Sequence, residues 1–357
     1  MGSEFLWYIP NTVEPGHRGD DTVAGWGSVE YSTELARTAE QHGWGGALLG
    51  TGWGRPDTFT VATVLAARTS RFKPLIAVRP GYWQPAQFAA AAATLDQLSR
   101  GRVLVNIVSG LDHLAAYGDV HSDPAHRYAR TREFLDLVRR LWTQEHVTFT
   151  GEHFRVEDST VAPRPYLDGE RVHPTLYFGG ASAAAERVAA AEADVQLFWG
   201  ETLEGLAARI DRLTALGHEL ERRHKPLEFG LRITTVVRES SDEAWRAAEQ
   251  KVALMAAEAD GRAWVGNGIT AVGQRRLFEL AARGEVLDTC LYTAPGRYGA
   301  EGAGSTWLVG SPREVADALE AYRKLGIDHF ILSDTPYRQE IARVGDQLLP
   351  LLRGSGS

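Results

Sequence analysis

Short apolar runs alternate with longer amphipathic segments along most of this chain. The eight apolar runs that we predict as strands are residues 5–9, 47–50, 75–78, 103–108, 176–178, 195–198, 229–237 and 329–332. Helical patterns separate them, for example residues 30–42 and 203–222. Continuously apolar strands with helices between them are typical of a parallel sheet that is covered on both faces.

Eight strand and helix repeats within 357 residues predict a closed (β/α)8 TIM barrel of the α/β class. An open doubly wound sheet fits less well, because no glycine-rich dinucleotide fingerprint follows the first strand. We predict one domain over residues 4–353, with insertions at about 145–173 and 260–306. The second insertion is rich in glycine, and we expect it to form a mobile lid over the C-terminal face. Residues 1–3 and 354–357 look like cloning remnants.

Composition excludes several classes of function. The net charge is −8 without a basic cluster, which argues against a nucleic-acid partner, and no apolar run is long enough to span a membrane. A single cysteine, Cys290, excludes a disulfide framework, and the scattered histidines predict no metal site. No Gly-x-Ser-x-Gly elbow indicates a hydrolase. A cytoplasmic enzyme is the expectation that remains.

In a barrel, the residues that follow the strands build the active site. Here these positions carry arginines, including Arg79 and Arg232, and tryptophans, including Trp53 and Trp199. Guanidinium groups bind oxyanions through paired hydrogen bonds. Residues 179–182, Gly-Gly-Ala-Ser before a predicted helix, form a candidate phosphate seat, because helix N-termini present free N–H groups to anions.

Residues 94–102, TLDQLSRGR, resemble the signature of the bacterial luciferase-like flavin-dependent monooxygenases. The closer resemblance is to the alkanesulfonate monooxygenase branch of that superfamily. The further matching segments are 7–10, 51–52, 77–80, 177–180, 199–201, 230–232, 242–245 and 302–306. The resemblance therefore extends over essentially the whole chain.

The resemblance implies an FMN enzyme that receives reduced flavin (FMNH2) from a separate NAD(P)H-dependent flavin reductase and consumes O2. The expected reaction cleaves the C–S bond of an organosulfonate to give sulfite and an aldehyde, and the expected assembly is a homodimer or homotetramer. The isoalloxazine or ribityl contacts that it implies are Thr51, Asn106 and Ser109, and the implied phosphate contacts are Tyr128, Gly180 and Ser182.

The resemblance also implies a set of substrate and catalytic residues, and several of them depart from the branch pattern. Arg55 replaces a cysteine, Thr234 replaces a histidine, and Thr335 replaces a tyrosine that Tyr337 is positioned to supply. The catalytic candidates are Arg232, Arg297, Tyr337 and His17, and the substrate-binding candidates are Arg55, Arg79, Trp53, Trp199, Trp307, Thr234 and Thr335. The base stays open between His17, Tyr337 and an arginine.

A pocket with an added arginine and many tryptophans favours a hydroxylated ring over a bare alkyl chain. A sulfosugar such as sulfoquinovose is therefore the substrate that we favour. The alternatives are a simple alkanesulfonate, an arylsulfonate or a sulfone. A deazaflavin (F420) oxidoreductase on the same barrel and a flavin-binding relative without catalysis are the competing classes.

Overall fold

The structure, a computed structural model, describes residues 2–11, 27–110, 114–119, 123–258, 272–298 and 305–354. Its strands are β1 (Glu4–Ile9), β2 (Gly46–Leu49), β3 (Lys73–Val78), β4 (Leu104–Val108), β5 (Val147–Thr150), β6 (Arg155–Ser159), β7 (Thr175–Gly179), β8 (Val195–Trp199), β9 (Glu228–Val237), β10 (Val286–Leu287), β11 (Leu291–Tyr292), β12 (Trp307–Gly310) and β13 (Ile327–Ser333). Its helices are α1 (Val29–Gln41), α2 (Thr58–Arg68), α3 (Pro85–Ser99), α4 (Pro124–Thr143), α5 (Ala183–Glu192), α6 (Leu203–Glu219), α7 (Ser241–Glu258), α8 (Val272–Arg283), α9 (Pro312–Lys324), α10 (Tyr337–Gln347) and α11 (Leu349–Gly354).

Eight of these strands close into a parallel barrel. Around the barrel the order is β1, β2, β3, β4, β7, β8, β9 and β13, and pairing of β13 with β1 completes the ring. Their side chains are almost all buried, as the continuous apolar runs predicted. The predicted (β/α)8 fold is therefore confirmed. No helix within the described ranges is long and apolar enough to cross a membrane.

The two predicted insertions contain regular structure of their own. The first includes the antiparallel hairpin β5–β6. In the second, helix α8 is followed by β10 and β11, and β11 joins the barrel sheet through β12, which pairs with β9. Sequence reading missed α8, although Leu277, Leu280 and Ala281 mark its buried face at helical spacing. The lid stays a prediction, because residues 259–271 and 299–304 lie outside the described part.

The signature segment that carried the family resemblance, residues 94–102, comprises the last residues of α3 and the start of the connection to β4, at the N-terminal end of the barrel. The carboxylate of Asp96, which is fully buried, accepts two hydrogen bonds from Arg171 at 2.7 and 2.9 Å and a third from the backbone N–H of Tyr166 at 2.9 Å. Arg102 donates to the carbonyls of Ala66 and Phe72. These contacts tie the segment to neighbouring loops, so its polar residues stabilise the barrel on the side opposite the strand ends where the active site is expected.

Candidate active site

An arginine and a tyrosine face each other inside the C-terminal end of the barrel. The guanidinium carbon of Arg232, on β9, lies 4.4 Å from the centre of the Tyr8 ring, on β1. Strand β13 separates β1 from β9 in the sheet, so this contact crosses the barrel interior. A cation over an aromatic face is stabilised by the ring quadrupole, most strongly where water is excluded.

Arg232 is half-buried, and no carboxylate among the described residues pairs with its guanidinium. Its Nη2 atom is buried and has no hydrogen-bond partner within the described part of the chain. The Oδ1 atom of Asn106, on β4, is likewise buried without such a partner. Buried polar groups without partners are costly, so this pair indicates a ligand with hydrogen-bonding and anionic character.

Two further predicted arginines lie at the barrel mouth and donate to backbone carbonyls. Arg55 Nη1 donates to the carbonyl of Pro10 at 2.9 Å, directly after β1. Arg79 Nη1 donates to the carbonyl of Gly110 at 3.0 Å, and its guanidinium carbon lies 5.8 Å from the centre of the Tyr117 ring. These bonds orient both side chains at the barrel mouth.

Residues 179–182, the predicted phosphate seat, lead directly into α5, and we call residues 179–182 with the first turn of α5 the α5 seat. Ser182 is the N-cap, and its hydroxyl accepts from the N–H of Ala185 at 3.2 Å. A Cβ atom on Gly180 would lie 2.5 Å from the Cβ of Ala185, so only glycine fits this turn. The Gly180 carbonyl accepts from Gln196 and Arg209, which fixes the turn in place. The first N–H groups of α5 have no partner within the helix, which is the arrangement that binds phosphates.

The other predicted flavin contacts follow β2 and β4. Thr51 is half-buried two residues after β2. Ser109 directly follows β4, and its hydroxyl is 2.6 Å from that of Thr131 on α4. Tyr128, in the first turn of α4, is half-buried against the main core. These residues and the α5 seat follow β2, β4 and β7, and Asn106 lies within β4. They therefore occupy one half of the mouth.

The opposite half is formed where β9 and β13 end. The hydroxyls of Thr234 and Ser333 are 3.1 Å apart and buried. Thr335 is fully buried, and its Oγ1 has no hydrogen-bond partner among the described residues. Tyr337 begins α10, and its ring centre is 6.3 Å from that of Tyr8. Thr335 and Tyr337 therefore lie on one turn beside the Arg232 and Tyr8 pair.

The predicted tryptophans occupy three different environments. Trp53 is 54% exposed after β2 and contacts Tyr117 edge-on at 5.0 Å, and Tyr117 stacks on Tyr82 at 4.5 Å. We call Trp53, Tyr82 and Tyr117 the aromatic rim. Trp199 ends β8 and is 41% exposed beside α8. Trp307 lies on β12, which pairs with β9, and its side chain is fully buried in a second, smaller core.

Two catalytic candidates remain to be described. Arg297 ends a short 3-10 helix and donates to the Ala281 carbonyl near the end of α8 at 3.2 Å, so the described contacts attach it to that helix. His17 lies outside the described residues. Sequence reading also missed residues that the structure brings to the mouth: Tyr8, inside a strand that reads as apolar core, and Tyr82 and Tyr117, in loops without a motif.

The chain is a closed (β/α)8 TIM barrel. Its polar and aromatic side chains lie at the C-terminal ends of the strands, where the active sites of TIM-barrel enzymes are found. Residues 3–329 match the family described as luciferase-like monooxygenase. The chain belongs to this family.

Solved structures share the fold at low sequence identity. They include the riboflavin lyase RcaE with modified FMN and its substrate riboflavin, at 19% identity and a TM-score of 0.78, with 100% of this chain and 92% of that chain covered. The EDTA monooxygenase EmoA from Chelativorans sp. BNC1 has 15% identity, a TM-score of 0.76 and coverages of 100% and 95%. An F420-dependent tetrahydromethanopterin reductase from Methanopyrus kandleri has 16% identity, a TM-score of 0.69 and coverages of 98% and 99%. At these identities the likeness shows the fold alone.

Proposed function

We propose that this protein is a two-component, FMNH2- and O2-dependent monooxygenase that cleaves the C–S bond of an organosulfonate, with a sulfosugar such as sulfoquinovose as the favoured substrate. Reduced flavin would come from a separate NAD(P)H-dependent reductase. Membership of the luciferase-like monooxygenase family supports the oxygenase class. The proposal of a sulfonate and of a sugar as substrate is based on the residues at the mouth of the barrel.

The observation that carries the proposal is the half-buried guanidinium of Arg232, which pairs with no carboxylate among the described residues and whose Nη2 atom is buried without a hydrogen-bond partner there. A buried N–H donor without a partner is unfavourable, and a negatively charged ligand oxygen would satisfy it. A sulfonate has three oxygens that match a guanidinium fork. Tyr8 covers the other face of the cation, which keeps it directed into the interior.

The residues present fit FMN. The α5 seat, with Gly180 and Ser182, would hold the phosphate, because a helix N-terminus, a glycine turn and a hydroxyl meet there. The buried Oδ1 of Asn106 is suited to a donor on the ring or ribityl chain, with Thr51, Ser109 and Tyr128 beside it. When bound, reduced FMN supplies the two electrons that activate O2 for transfer of one oxygen atom to the sulfonate-bearing carbon.

The protein's own residues bind, orient and shield the substrate. Arg232 would hold the sulfonate and offset its charge, and the buried hydroxyls of Thr234 and Thr335 would bind neighbouring polar groups. The Tyr337 hydroxyl is a candidate to hold the proton that leaves the substrate carbon. Overall, R–CH2–SO3⁻ consumes one O2 and two hydrogens from the reduced cofactor, and yields R–CHO, sulfite, water and one proton.

The aromatic rim favours a ring-shaped substrate. Its three side chains lie on the loops after β2, β3 and β4, with Arg79 against Tyr117. The C–H faces of a sugar ring pack on aromatic faces, and its hydroxyls suit the nearby hydroxyl and guanidinium groups. A linear alkyl chain would use the ring faces but none of the polar groups.

The test is sulfite release by the purified chain with FMN, NADH and a generic flavin reductase. The substrate panel contains sulfoquinovose, short and long alkanesulfonates and an arylsulfonate, with a control that lacks the reductase. Sulfite from sulfoquinovose supports the full proposal, and sulfite from alkanesulfonates alone discards the sugar. FMN binding without sulfite from any substrate contradicts desulfonation. Preferential binding of F420 would favour hydride transfer on the same barrel.

A further inference from the structure

A lysine lies on the buried face of α7. Ala244, Ala248, Lys251 and Met255 recur at helical spacing, and each is at most 5% exposed. Lysine is rarely buried without a partner, because desolvation of its ammonium is costly. The position of Lys251 on an otherwise apolar stripe therefore calls for an explanation in its contacts.

Lys251 donates to the turn between β13 and α10. Its Nζ donates to Oδ1 of Asp334 at 2.7 Å and also to the backbone carbonyl of Thr335. Asp334 is fully buried, so this ion pair is shielded from solvent. One ammonium thus holds two consecutive residues of the turn that carries Thr335 and Tyr337.

Three more charged groups complete this cluster. Arg238, which directly follows β9, donates to Oε2 of Glu340 at 3.1 Å, and its Nη1 lies 3.6 Å from Oδ2 of Asp334. Arg343, on α10, lies 3.2 Å from Oε1 of Glu340. Groups from α7, the residue after β9, the β13–α10 turn and α10 therefore meet in one ionic network. Both of its carboxylates, Asp334 and Glu340, are buried.

We propose that Lys251 is a positioning residue that holds Thr335 and Tyr337 at the substrate side of the barrel mouth. The inference rests on the proposed function, because it takes these two residues to face the substrate. Lys251 itself touches neither substrate nor flavin in this arrangement. The α5 seat follows β7, on the other half of the mouth, so loss of Lys251 is expected to disturb substrate use and to spare FMN binding.

The ammonium is suited to this role by its geometry. Three N–H donors on one nitrogen can satisfy a carboxylate and a carbonyl at the same time. Methionine has a similar length and would fill the space, but it would leave Asp334 without its closest cation. An unpaired buried carboxylate is unfavourable, so the turn would move toward water or rearrange. Arginine at position 251 would keep the positive charge but would place its N–H donors in a different geometry.

The test compares Lys251→Met and Lys251→Arg with the surface control Lys225→Met. Lys225 pairs with Glu170, and both side chains are more than 70% exposed. We expect Lys251→Met to lower kcat/KM for the sulfonate by up to about 10²-fold, because small displacements of reacting groups cost that much. FMN affinity should change less than about twofold, and Lys251→Arg should recover much of kcat/KM.

Hydrogen–deuterium exchange separates this inference from the proposed function. In Lys251→Met the backbone amides of residues 333–341 should exchange faster, while those of α5 should match the wild type. This readout applies even if no sulfonate is turned over, in which case the proposed function alone fails. Equal exchange in the turn of Lys251→Met and Lys225→Met would overturn the inference. A parallel loss of FMN affinity and substrate turnover would also overturn it.

Discussion

Arg232 and Tyr8 meet across the interior of the barrel, with 4.4 Å between the guanidinium carbon and the ring centre. They lie on strands that are separated by β13, so this contact depends on the pairing of both strands with β13 in the sheet. The ring orients the guanidinium and lowers the energy of a half-buried charge that has no carboxylate partner in the described part of the chain. This relationship makes Arg232 the residue on which the proposed sulfonate site depends most.

Replacement of Arg232 by methionine should abolish most sulfonate turnover. We expect kcat/KM to fall by about 10²-fold or more, because the fixed charge opposite the sulfonate is lost. The FMN dissociation constant should stay within about twofold of the wild type, since a purely substrate-facing group does not bind the cofactor. Arg313→Met is the control, since Arg313 pairs with Asp317 at 3.2 Å on the exposed face of α9. A large loss of FMN affinity in Arg232→Met would assign the guanidinium to the flavin instead.

Two replacements of Tyr8 should distinguish the contribution of its ring to activity from that of its hydroxyl. Tyr8→Leu should lower kcat/KM by about tenfold, because a desolvated cation–π contact contributes up to about 2 kcal/mol. Tyr8→Phe keeps the ring face and should retain most of the activity. Steady-state kinetics with the best sulfonate measures both. Equal activity of Tyr8→Leu and the wild type would show that the ring does not orient Arg232.

Ser182→Ala should weaken FMN binding, and the chain offers a matched control. Ser182 and Ser311 are both helix N-caps whose hydroxyls accept from an N–H three residues ahead, at 3.2 and 3.4 Å. Loss of either cap should cost about 1 kcal/mol of stability. Only Ser182 belongs to the α5 seat, so FMN titration should show about tenfold weaker binding for Ser182→Ala alone. Similar FMN affinities in the two variants would place the phosphate elsewhere.

Glu340→Gln should change how stability depends on pH. Burial, followed by repulsion from Asp334, raises the pKa of Glu340 from 4.5 to about 7, although Arg238, Lys251 and Arg343 oppose the shift. The folded state therefore holds this proton more tightly than the unfolded chain. The stabilisation is fully present below pH 4.5 and is lost as the pH rises through 7, by an amount of about 3 kcal/mol.

Urea unfolding at pH 5 and pH 8 measures this difference. Glutamine does not titrate, so the variant should lose less stability than the wild type between the two pH values. Glu204→Gln serves as the control, because the side chain of Glu204 is 89% exposed. Wild type and Glu340→Gln with parallel losses between pH 5 and pH 8 would contradict the raised pKa.

The barrel could be predicted from sequence because each of its strands is a short, continuously apolar run between helical patterns. The positions of the arginines and glycines at the C-terminal strand ends could also be predicted, since these ends lie on one face of the barrel in this fold. Contacts between strands that are distant in sequence, such as that of Arg232 with Tyr8, depend on the assembled sheet and leave no local pattern. Lys251 was missed for a related reason, because a lysine in a helix reads as a solvated residue.

Trp307 has a structural role that the sequence did not predict. Its position directly after a glycine-rich segment suggested a substrate contact, and the structure shows that it begins β12, where the indole packs against Tyr292 in the second core. Pairing of β12 with β9 is a long-range event that composition does not reveal. The role of Trp307 in substrate binding stays a prediction, whereas its part in this core is a feature of the fold.

Replacement of Trp53 should distinguish ring-shaped from linear substrates. Trp53→Ala removes the most exposed member of the aromatic rim, with 54% of that residue accessible. Stacking on an aromatic face contributes on the order of 1 kcal/mol, so kcat/KM for a cyclic sulfonate such as sulfoquinovose should fall by about fivefold to tenfold. A short alkanesulfonate held only through its sulfonate group should be turned over at an unchanged rate.

Trp53→Phe is the matched control for this prediction, because it retains an aromatic face at the same position. It should keep most of the cyclic-substrate activity if stacking is the source of the effect. Tyr117→Ala should behave like Trp53→Ala, since Tyr117 contacts both Trp53 and Tyr82 and thereby supports the whole rim. Equal losses for cyclic and linear sulfonates in Trp53→Ala would mean that the rim shapes the mouth in general. The preference for a sugar ring would then have to come from the hydroxyl groups of Thr234 and Thr335.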